Sequence, residues 1–305
     1  MGGSGRSYFP VSKPDLEKLV QDSKQEEDRK RLESDVNAFL REVLSSFERD
    51  TNKINENLDK IGEILSNEAD MEKFLFGGSV AKHTYVDGLS DVDALVILKK
   101  EDMSGKTPQE VLSLFYRSLK DRLTYDAVEK VEKGNMAVTI TYRDSTEIQL
   151  LPAILVGSNI RISNAQANDW KETNPREFQR MLTTANDRLN CALVPTIKLA
   201  KSIISSLPEQ KRLTGYHVES LAIEATKGYR GSKTVQALTR QFFNKASELV
   251  KYPIRDVTSQ SRIVDSYLGN ANSQKRSIAA DALSGISRRL NAATSIEQWK
   301  SIVEE

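Results

Sequence analysis

The chain has 305 residues, of which 38% are hydrophobic and 29% are charged. A chain of this length and composition can bury a substantial core, which excludes disorder as a description of the whole. Lysine and arginine number 44 against 43 aspartate and glutamate residues. No global charge therefore draws the protein onto nucleic acid or anionic lipid, and any anion site must be local.

The cysteine content and the hydropathy pattern indicate a cellular compartment. The chain has a single cysteine, Cys191, so an intramolecular disulfide is excluded. Cys191 lies in the apolar stretch 189–194, which predicts that it is a buried small residue. No apolar run reaches the roughly 20 residues of a transmembrane helix, and the N-terminus lacks the features of a signal peptide. We expect a cytoplasmic protein that has no membrane partner.

The first part of the chain is predicted to be a flexible end followed by a long helix. Residues 1–14 are expected to be a flexible N-terminus, and the Gly2-Gly3-Ser4-Gly5 stretch within them is either native or an added linker. Between residues 15 and 70, apolar residues recur at helical spacing, for example Phe39, Leu40 and Val43. This periodicity predicts a long helix with room for one break.

An α/β pattern follows the long helix. The segment 73–76 leads into the turn Gly77-Gly78-Ser79, and a loop then connects this turn to a β-branched stretch. The predicted elements are a strand over 91–98, a helix over 108–123 that begins with Pro108, and strands over 127–132, 136–142 and 146–150, the last ending at Pro152.

From residue 175 onward the pattern changes to helices with few strand signals. The predicted helices cover residues 176–185, 188–206, 217–228, 233–248 and 273–292. This change predicts an α+β protein in which residues 15–174 form a mixed core and residues 175–305 form a helical domain.

Two aspartates stand out in the first predicted strand of the core. Because side chains alternate along a strand, Asp91 and Asp93 project from one face while Val92, Ala94 and Val96 supply the other. Two carboxylates so close repel each other unless they share a cation, and hard oxygen ligands suit Mg²⁺ or Mn²⁺. The alternative is a strand whose acidic face is simply solvated.

The context of this pair favours the metal site. The Gly-Gly-Ser turn ends twelve residues before Asp91, and Gly78 with the Ser79 amide and hydroxyl can hold a phosphate. Ser90, directly before the first aspartate, is expected to order the turn. Two metal ions need a third carboxylate on a neighbouring strand, and Glu147 is the candidate because alternation places it with Gln149 on one face.

These segments resemble a known signature. Gly77-Gly78-Ser79, Asp91-Val92-Asp93 and Glu147-Ile148-Gln149-Leu150 together resemble the nucleotidyltransferase motif of DNA polymerase β, poly(A) polymerases and oligoadenylate synthases. More narrowly, residues 30–230 resemble the bacterial relatives of cyclic GMP-AMP synthase, the CD-NTases or DncV-like cyclases, which make cyclic oligonucleotide signals in anti-phage (CBASS) defence. The long helix, Leu151-Pro152-Ala153 and the helical second half also fit that group.

The resemblance implies a fold and a chemistry. The fold would be a polymerase β-like core, a mixed sheet with a long spine helix, whose nucleotide cleft the helical domain completes. Asp91, Asp93 and Glu147 would hold two Mg²⁺ or Mn²⁺ ions. Several members of the group place an aspartate where this chain has Gln149. Either Glu147 is the third carboxylate, as we predict, or the metal site is incomplete.

The resemblance also implies nucleotide-binding residues in the helical half. A lysine of the helix around Pro195 would meet the triphosphate, and Lys198 and Lys201, three residues apart, share a predicted outer side. We favour Lys201, although solvated lysines would give the same pattern. Tyr216 resembles the aromatic residue that stacks on a donor base, and core packing is the alternative.

The two histidines are not expected to take part in the chemistry. His83 and His217 have no Cys/His neighbours that could form a zinc site. We predict that His83 lies in a loop and that His217 is a helix cap or surface residue.

The predicted activity is template-independent transfer on nucleoside triphosphates, ATP among them, with pyrophosphate release and a cyclic di- or trinucleotide product. Ring closure follows from the resemblance alone. An activating partner protein and a downstream effector are expected partners, whereas nucleic acid is not, because the chain has no basic tract. Three alternatives remain: a transferase acting on RNA ends or another acceptor, a degenerate nucleotide-binding regulator, and an interaction protein with an acidic strand.

Overall fold

The computed structural model describes residues 13–47, 51–66, 71–86, 89, 91–99, 105–123, 127–156, 159–164, 169–173, 175–258 and 262–304. Most of the predicted flexible N-terminus lies outside these residues, while residues 13 and 14 already belong to the first helix. None of the helices in the described part of the chain has the length and apolarity that crossing a membrane requires.

The predicted long helix is broken once, as expected. Helix α1 spans Lys13–Ser45 and helix α2 spans Thr51–Ser66. Apolar residues of α1, such as Phe39 and Leu40, join the core of the helical half. Those of α2, such as Ile61, pack instead under the sheet. The two helices on either side of the break therefore pack in different cores.

The sheet has seven strands in mixed orientation. They are β1 (Met71–Phe76), β2 (Val92–Leu98), β3 (Val128–Lys133), β4 (Val138–Tyr142), β5 (Glu147–Val156), β6 (Asn159–Asn164) and β7 (Asp169–Thr173). The main order is β1-β2-β5-β4-β3, and β6 and β7 extend from β5. Strands β2 and β5 are parallel, whereas the other pairs are antiparallel.

Strand β5 runs past Pro152, so the prediction of a strand end there is wrong. On one side β5 pairs with β2 along most of its length. On the other side β4 pairs with residues 147–150, and β6 pairs with residues 153–156. Pro152 falls in the gap between these two partners, a position at which a strand tolerates a residue without an N–H. The continuation of β5 also creates the pairing site for β6 and β7, which the sequence patterns did not predict.

The two faces of β2 have different partners. Val92, Ala94 and Val96 point into the core formed with α2 and with helix α4, which spans Pro108–Arg122. The opposite face carries Asp93 followed by Leu95 and Ile97, which pack with residues of β5 and β6. The predicted alternation along this strand is confirmed, and it leaves the acidic positions outside the main core.

The second half of the described chain is helical, as predicted. Its helices are α5 (Pro175–Arg188), α6 (Leu193–Ser205), α7 (Gly215–Ala225), α8 (Val235–Leu249), α9 (Gln274–Ala292) and α10 (Ile296–Val303), and the short helix α3 (Gly78–Ala81) belongs to the sheet half. The last of these helices, α10, was not predicted. Fully buried Arg276 on α9 donates to the buried Asp265 carboxylate at 2.7 Å and fixes the segment between α8 and α9.

Cys191 is exposed, so the prediction that it is buried is wrong. Residues 189–191 form a turn between α5 and α6, in which Asn190 and Cys191 adopt φ values of 53° and 61°. The turn presents Leu189 inward and the cysteine outward. An apolar run that predicts one helix is therefore a helix end, a turn and a new helix start.

Candidate active site

The glycine turn and the end of β2 fit together closely. The Gly77 amide donates to the Asp93 carbonyl at 2.7 Å. Gly78 has a φ of +49°, and a Cβ atom at this residue would lie 1.6 Å from Asp93 Oδ2. Only glycine accommodates both the left-handed backbone and this close approach. The turn and the carboxylate therefore form one unit.

The parallel register of β2 and β5 gathers the polar residues. It places Gln149 beside Asp93. Gln149 Nε2 donates to Asp91 Oδ2 at 2.6 Å, and Glu147 lies within hydrogen-bonding reach of the Asp91 carboxyl. Thr141 Oγ1, on β4, donates to Glu147 Oε1 at 3.4 Å. The structure thus brings the three predicted carboxylates to one face of two neighbouring strands.

The carboxylates perturb one another. Burial, followed by the hydrogen bond and charge of Glu147 and the charge of Asp93, raises the pKa of Asp91 to about 6. Burial also raises the pKa of Asp93, which the nearby Lys82 ammonium opposes. Both carboxyl groups are therefore harder to ionise than a free aspartate, mainly because burial disfavours their charged forms.

The donor set suits a hard divalent cation. Asp91, Asp93 and Glu147 offer carboxylate oxygens, and Gln149 adds an amide oxygen, the ligand types that Mg²⁺ and Mn²⁺ prefer. Within the described residues, no three Asp, Glu, His or Cys side chains already converge on one metal position. Asp91 and Asp93 therefore fit a cation, while Glu147 would have to turn from its present partners to join them.

A cleft of about 400 Å³ opens beside these residues. Its floor includes Gly77, Gly78 and Asp93, and its far wall comes from the helical half through Phe178 and Tyr216. The cleft thus lies between the carboxylate face and the helices, with room for a nucleotide-sized ligand.

Tyr216 is fixed in the wall of this cleft. Its hydroxyl donates to Asp256 Oδ1 at 2.9 Å, and its ring meets the Phe178 ring edge-on at a centroid distance of 4.8 Å. Burial, then the Asp256 hydrogen bond, raises the pKa of Tyr216 well above its usual value. The residue is half buried and lines the cleft, so its side chain is partly accessible from the cleft while the hydroxyl is held.

The predicted phosphate-binding residues differ in where they lie relative to the cleft. Gly78 lines the cleft, whereas Ser79 is buried directly behind it. Ser90 lies outside the described residues. Lys198 is half buried on α6 and is not part of the cleft wall as the described residues define it.

Lys201 is buried, so the prediction that it shares an outer side with Lys198 is wrong. Its ammonium donates to Glu219 Oε1 at 2.8 Å and to the Thr84 carbonyl at 3.0 Å. Its side chain is only 7% exposed. Helix α7 and the turn after α3 cover a helix face that periodicity alone assigned to solvent.

His217 is also buried, so the prediction of a cap or surface residue is wrong. Thr214 is the N-cap of α7, and its side chain accepts a hydrogen bond from the His217 amide. The ring is fully buried, with Nδ1 at 2.8 Å from the Tyr267 hydroxyl and Nε2 at 3.4 Å from Asp265. Burial lowers the pKa of His217 to about 4, which makes it a neutral core residue. His83 lies exposed in a turn, as predicted.

Two residues of the cleft region went unrecognised in the sequence. Lys82 follows Ser79 by three residues and lines the cleft, and Glu219 follows Tyr216 by three residues on α7. The available signal was that Glu219 lies among the apolar residues Val218, Leu221 and Ala222, because a carboxylate that is buried in such surroundings requires a partner.

The fold and the site together define a nucleotidyltransferase of the polymerase β-like class, with carboxylates of two adjacent strands beside a glycine turn. Residues 31–186, just over half of the chain, match the sequence profile of the SMODS family, the Second Messenger Oligonucleotide or Dinucleotide Synthetase domain. The chain belongs to this family. No curated protein sequence matches it.

Solved structures of CD-NTases have the same fold. The Bradyrhizobium diazoefficiens CD-NTase CdnG in complex with GTP aligns with a TM-score of 0.66 at 12% identity, over 88% of this chain and 94% of that one. Escherichia coli DncV, bound to 3′-deoxy GTP, gives 0.63 at 13% identity over 96% and 90%. E. coli MS115-1 CdnC with ATP gives 0.62 at 13% identity over 89% and 97%, and CdnC is also solved as a complex with HORMA-deltaN.

Proposed function

We propose that this chain is a metal-dependent nucleotidyltransferase that joins nucleoside triphosphates into a cyclic di- or trinucleotide and releases pyrophosphate. One observation carries the proposal: Asp93 lines a nucleotide-sized cleft, and Gly78, which lines the same cleft, packs against the Asp93 carboxylate. Family membership supports the class of product.

Asp91 and Asp93 would hold an ion that also binds the triphosphate, and Glu147 would join them around a second ion. Such ions, when bound, supply charge neutralisation and a lower pKa for the attacking hydroxyl. The donor chemistry supports Mg²⁺ or Mn²⁺ in this role. Gln149 orients Asp91 through its 2.6 Å hydrogen bond.

The remaining residues position the nucleotide. The turn at Gly78 and Ser79 brings backbone close to the phosphates, and Tyr216 offers a ring on which the base stacks. A ribose hydroxyl oxygen then attacks the α-phosphorus in line. The new bond joins this oxygen to phosphorus, the bond to the β-phosphate oxygen breaks, and pyrophosphate departs. A second transfer within the linear product closes the ring.

The substrates and partners are proposed from the relatives. GTP is bound to CdnG and ATP to CdnC, which supports nucleoside triphosphates as substrates. CdnC also forms a complex with HORMA-deltaN, which supports an activating protein partner. We place the reaction in the bacterial cytoplasm, in anti-phage signalling through a downstream effector that the cyclic product switches on.

A second candidate function is a nucleotide-binding regulator without catalysis. The Gln149 amide donates to Asp91 Oδ2, and the resemblance implies an aspartate at this position in several members of the group. If Glu147 stays with Asp91 and Thr141, the site holds triphosphate without activating a hydroxyl.

Metal-dependent pyrophosphate release separates the two candidates. Purified protein is given the four ribonucleoside triphosphates with Mg²⁺, Mn²⁺ or EDTA, and pyrophosphate is followed enzymatically. The transferase predicts release that requires metal and is lost in Asp91→Asn and Asp93→Asn, while the exposed control Asp187→Asn retains it. Triphosphate binding without release under either metal would favour the regulator. Release only upon addition of RNA would favour an RNA-end transferase.

A further inference from the structure

One buried carboxylate ties the glycine turn to the helical half. Glu219, on α7, has a side chain that is 1% exposed and forms ion pairs with Lys82 and Lys201. It also accepts a hydrogen bond from Thr84 Oγ1. Lys82 and Thr84 follow α3 directly, whereas Lys201 belongs to α6. Three separate segments of the chain therefore meet at a single carboxylate.

The two lysines at this carboxylate differ in what they can still bind. The Lys201 ammonium reaches three acceptors: Glu219 Oε1 at 2.8 Å, the Thr84 carbonyl at 3.0 Å and Thr84 Oγ1 at 3.3 Å. An ammonium has three protons to donate, so this inventory is full. Lys201 cannot meet a phosphate unless it leaves a buried carboxylate behind, which is costly.

Lys82 stands at the cleft instead. Its side chain is 13% exposed, and the residue is part of the cleft lining. Its ammonium lies 5.0 Å from the ring centroids of both Phe178 and Tyr216. It is also close enough for its charge to act on Asp93. Lys82 thus lies between the aromatic wall, where a base would stack, and the carboxylate face, where the α-phosphate would react.

We propose that Lys82 is the lysine that meets the triphosphate, and that Glu219 is a positioning residue that holds Lys82 at the cleft and competes with the phosphates for its ammonium. The triphosphate itself comes from the proposed function. Lys201 acts through Glu219, as the counter-charge that stays with the carboxylate when Lys82 turns to the phosphates.

The competition gives Glu219→Gln an unusual expected signature. The side-chain amide of the variant can still form hydrogen bonds with Lys201 and Thr84, but it has no charge with which to attract the Lys82 ammonium. Triphosphate should then bind more tightly, by roughly five- to tenfold in Kd. Turnover should fall, because Lys82 is no longer held in position. A merely structural role for Glu219 predicts the opposite change in Kd, since a loosened site binds ligand more weakly.

The test measures binding and turnover separately. Non-hydrolysable ATP and GTP analogues are titrated by calorimetry, and pyrophosphate release gives kcat. Lys82→Met should weaken analogue binding by roughly tenfold or more and leave the affinity for the nucleoside unchanged. The double variant Lys82→Met/Glu219→Gln should show no gain over Lys82→Met, because the gain acts through Lys82. Lys245→Met and Glu248→Gln, in an exposed 3.3 Å pair, are the matched controls.

The outcomes are distinct. Weaker binding by Glu219→Gln, or a gain that persists without Lys82, would overturn the positioning role. Unchanged analogue affinity in Lys82→Met would overturn the assignment of the lysine while leaving the transferase intact. If Glu219→Gln does not fold, Lys82→Met and Lys82→Arg decide, since Lys82→Arg should restore most of the affinity. Failure of the wild-type protein to bind any triphosphate would instead contradict the proposed function.

Discussion

Replacement of Gly78 by alanine tests the unit formed by the turn and the Asp93 carboxylate. The new Cβ would lie 1.6 Å from Asp93 Oδ2, so the carboxylate must move by roughly 2 Å to regain an ordinary contact distance. The left-handed φ of +49° adds backbone strain of about 1 kcal/mol for alanine. We expect turnover to fall about 100-fold or more, because displacements of this size disrupt a reacting geometry.

The control for this variant is Gly228→Ala. Gly228 shares a positive φ, +68°, but no atom lies within 4 Å of the position that a Cβ would take there. Gly228→Ala should lose about 1 kcal/mol in urea unfolding, and Gly78→Ala should lose at least as much because its Cβ also meets Asp93. Only Gly78→Ala should lose pyrophosphate release. Full activity of Gly78→Ala, or an equal loss of pyrophosphate release in both variants, would refute the claim that the turn fixes Asp93.

Three further predictions follow from charges in the structure. Asp91→Asn should abolish turnover, and it should add about 1 kcal/mol to the unfolding free energy near pH 8 but little near pH 4. The pKa of Asp91 is raised to about 6, so the carboxyl stabilises the fold while it is protonated at low pH and loses that contribution as the pH rises through 6. Asparagine carries no charge at either pH and therefore avoids the loss. Partial exposure of Asp91 reduces the size of the effect. Gln149→Asp adds a carboxylate beside Asp91, so the variant should unfold at a lower temperature than the wild type in EDTA. Its unfolding temperature should rise more on addition of Mn²⁺ than that of the wild type. An equal rise in both proteins would contradict a metal site at this face. Arg276→Met leaves the buried Asp265 carboxylate unpaired and should cost ~3–5 kcal/mol in urea unfolding, against less than about 0.5 kcal/mol for exposed Arg288→Met on the same helix.

The sequence was sufficient to predict the carboxylate face. Period-two alternation decides which residues share a strand face, and Val92, Ala94 and Val96 could only face a core. The same alternation places Asp91 and Asp93 together on the opposite face. Gly78 was predicted for another reason, a close approach of the backbone to a phosphate, and the sequence did not predict its close packing against Asp93.

The sequence did not predict what covers each helix. Periodicity shows that Lys198 and Lys201 differ from the apolar stripe of α6, but it does not show that α7 and Thr84 lie over one of them. His217 was misplaced for the same reason, because its burial depends on Tyr267 and Asp265, far along the chain. Tertiary contacts, rather than local patterns, determine these positions.

Strand ends were also beyond local patterns. A proline normally argues for the end of a strand, but Pro152 lies in a gap between the residues that pair with β4 and those that pair with β6. Such a gap is a property of the whole sheet. The Cys191 turn is similar, because two residues with positive φ interrupt an apolar run that contains no glycine.

The most direct test of the central claim is the identity of the product. The protein is incubated with radiolabelled nucleoside triphosphates and Mg²⁺ or Mn²⁺, treated with phosphatase, and the surviving material is resolved and weighed by mass spectrometry beside the Asp91→Asn/Asp93→Asn double variant. A phosphatase-resistant cyclic di- or trinucleotide made only by the wild-type protein is the predicted result. A product that phosphatase degrades completely, or one that the double variant also makes, would contradict the account.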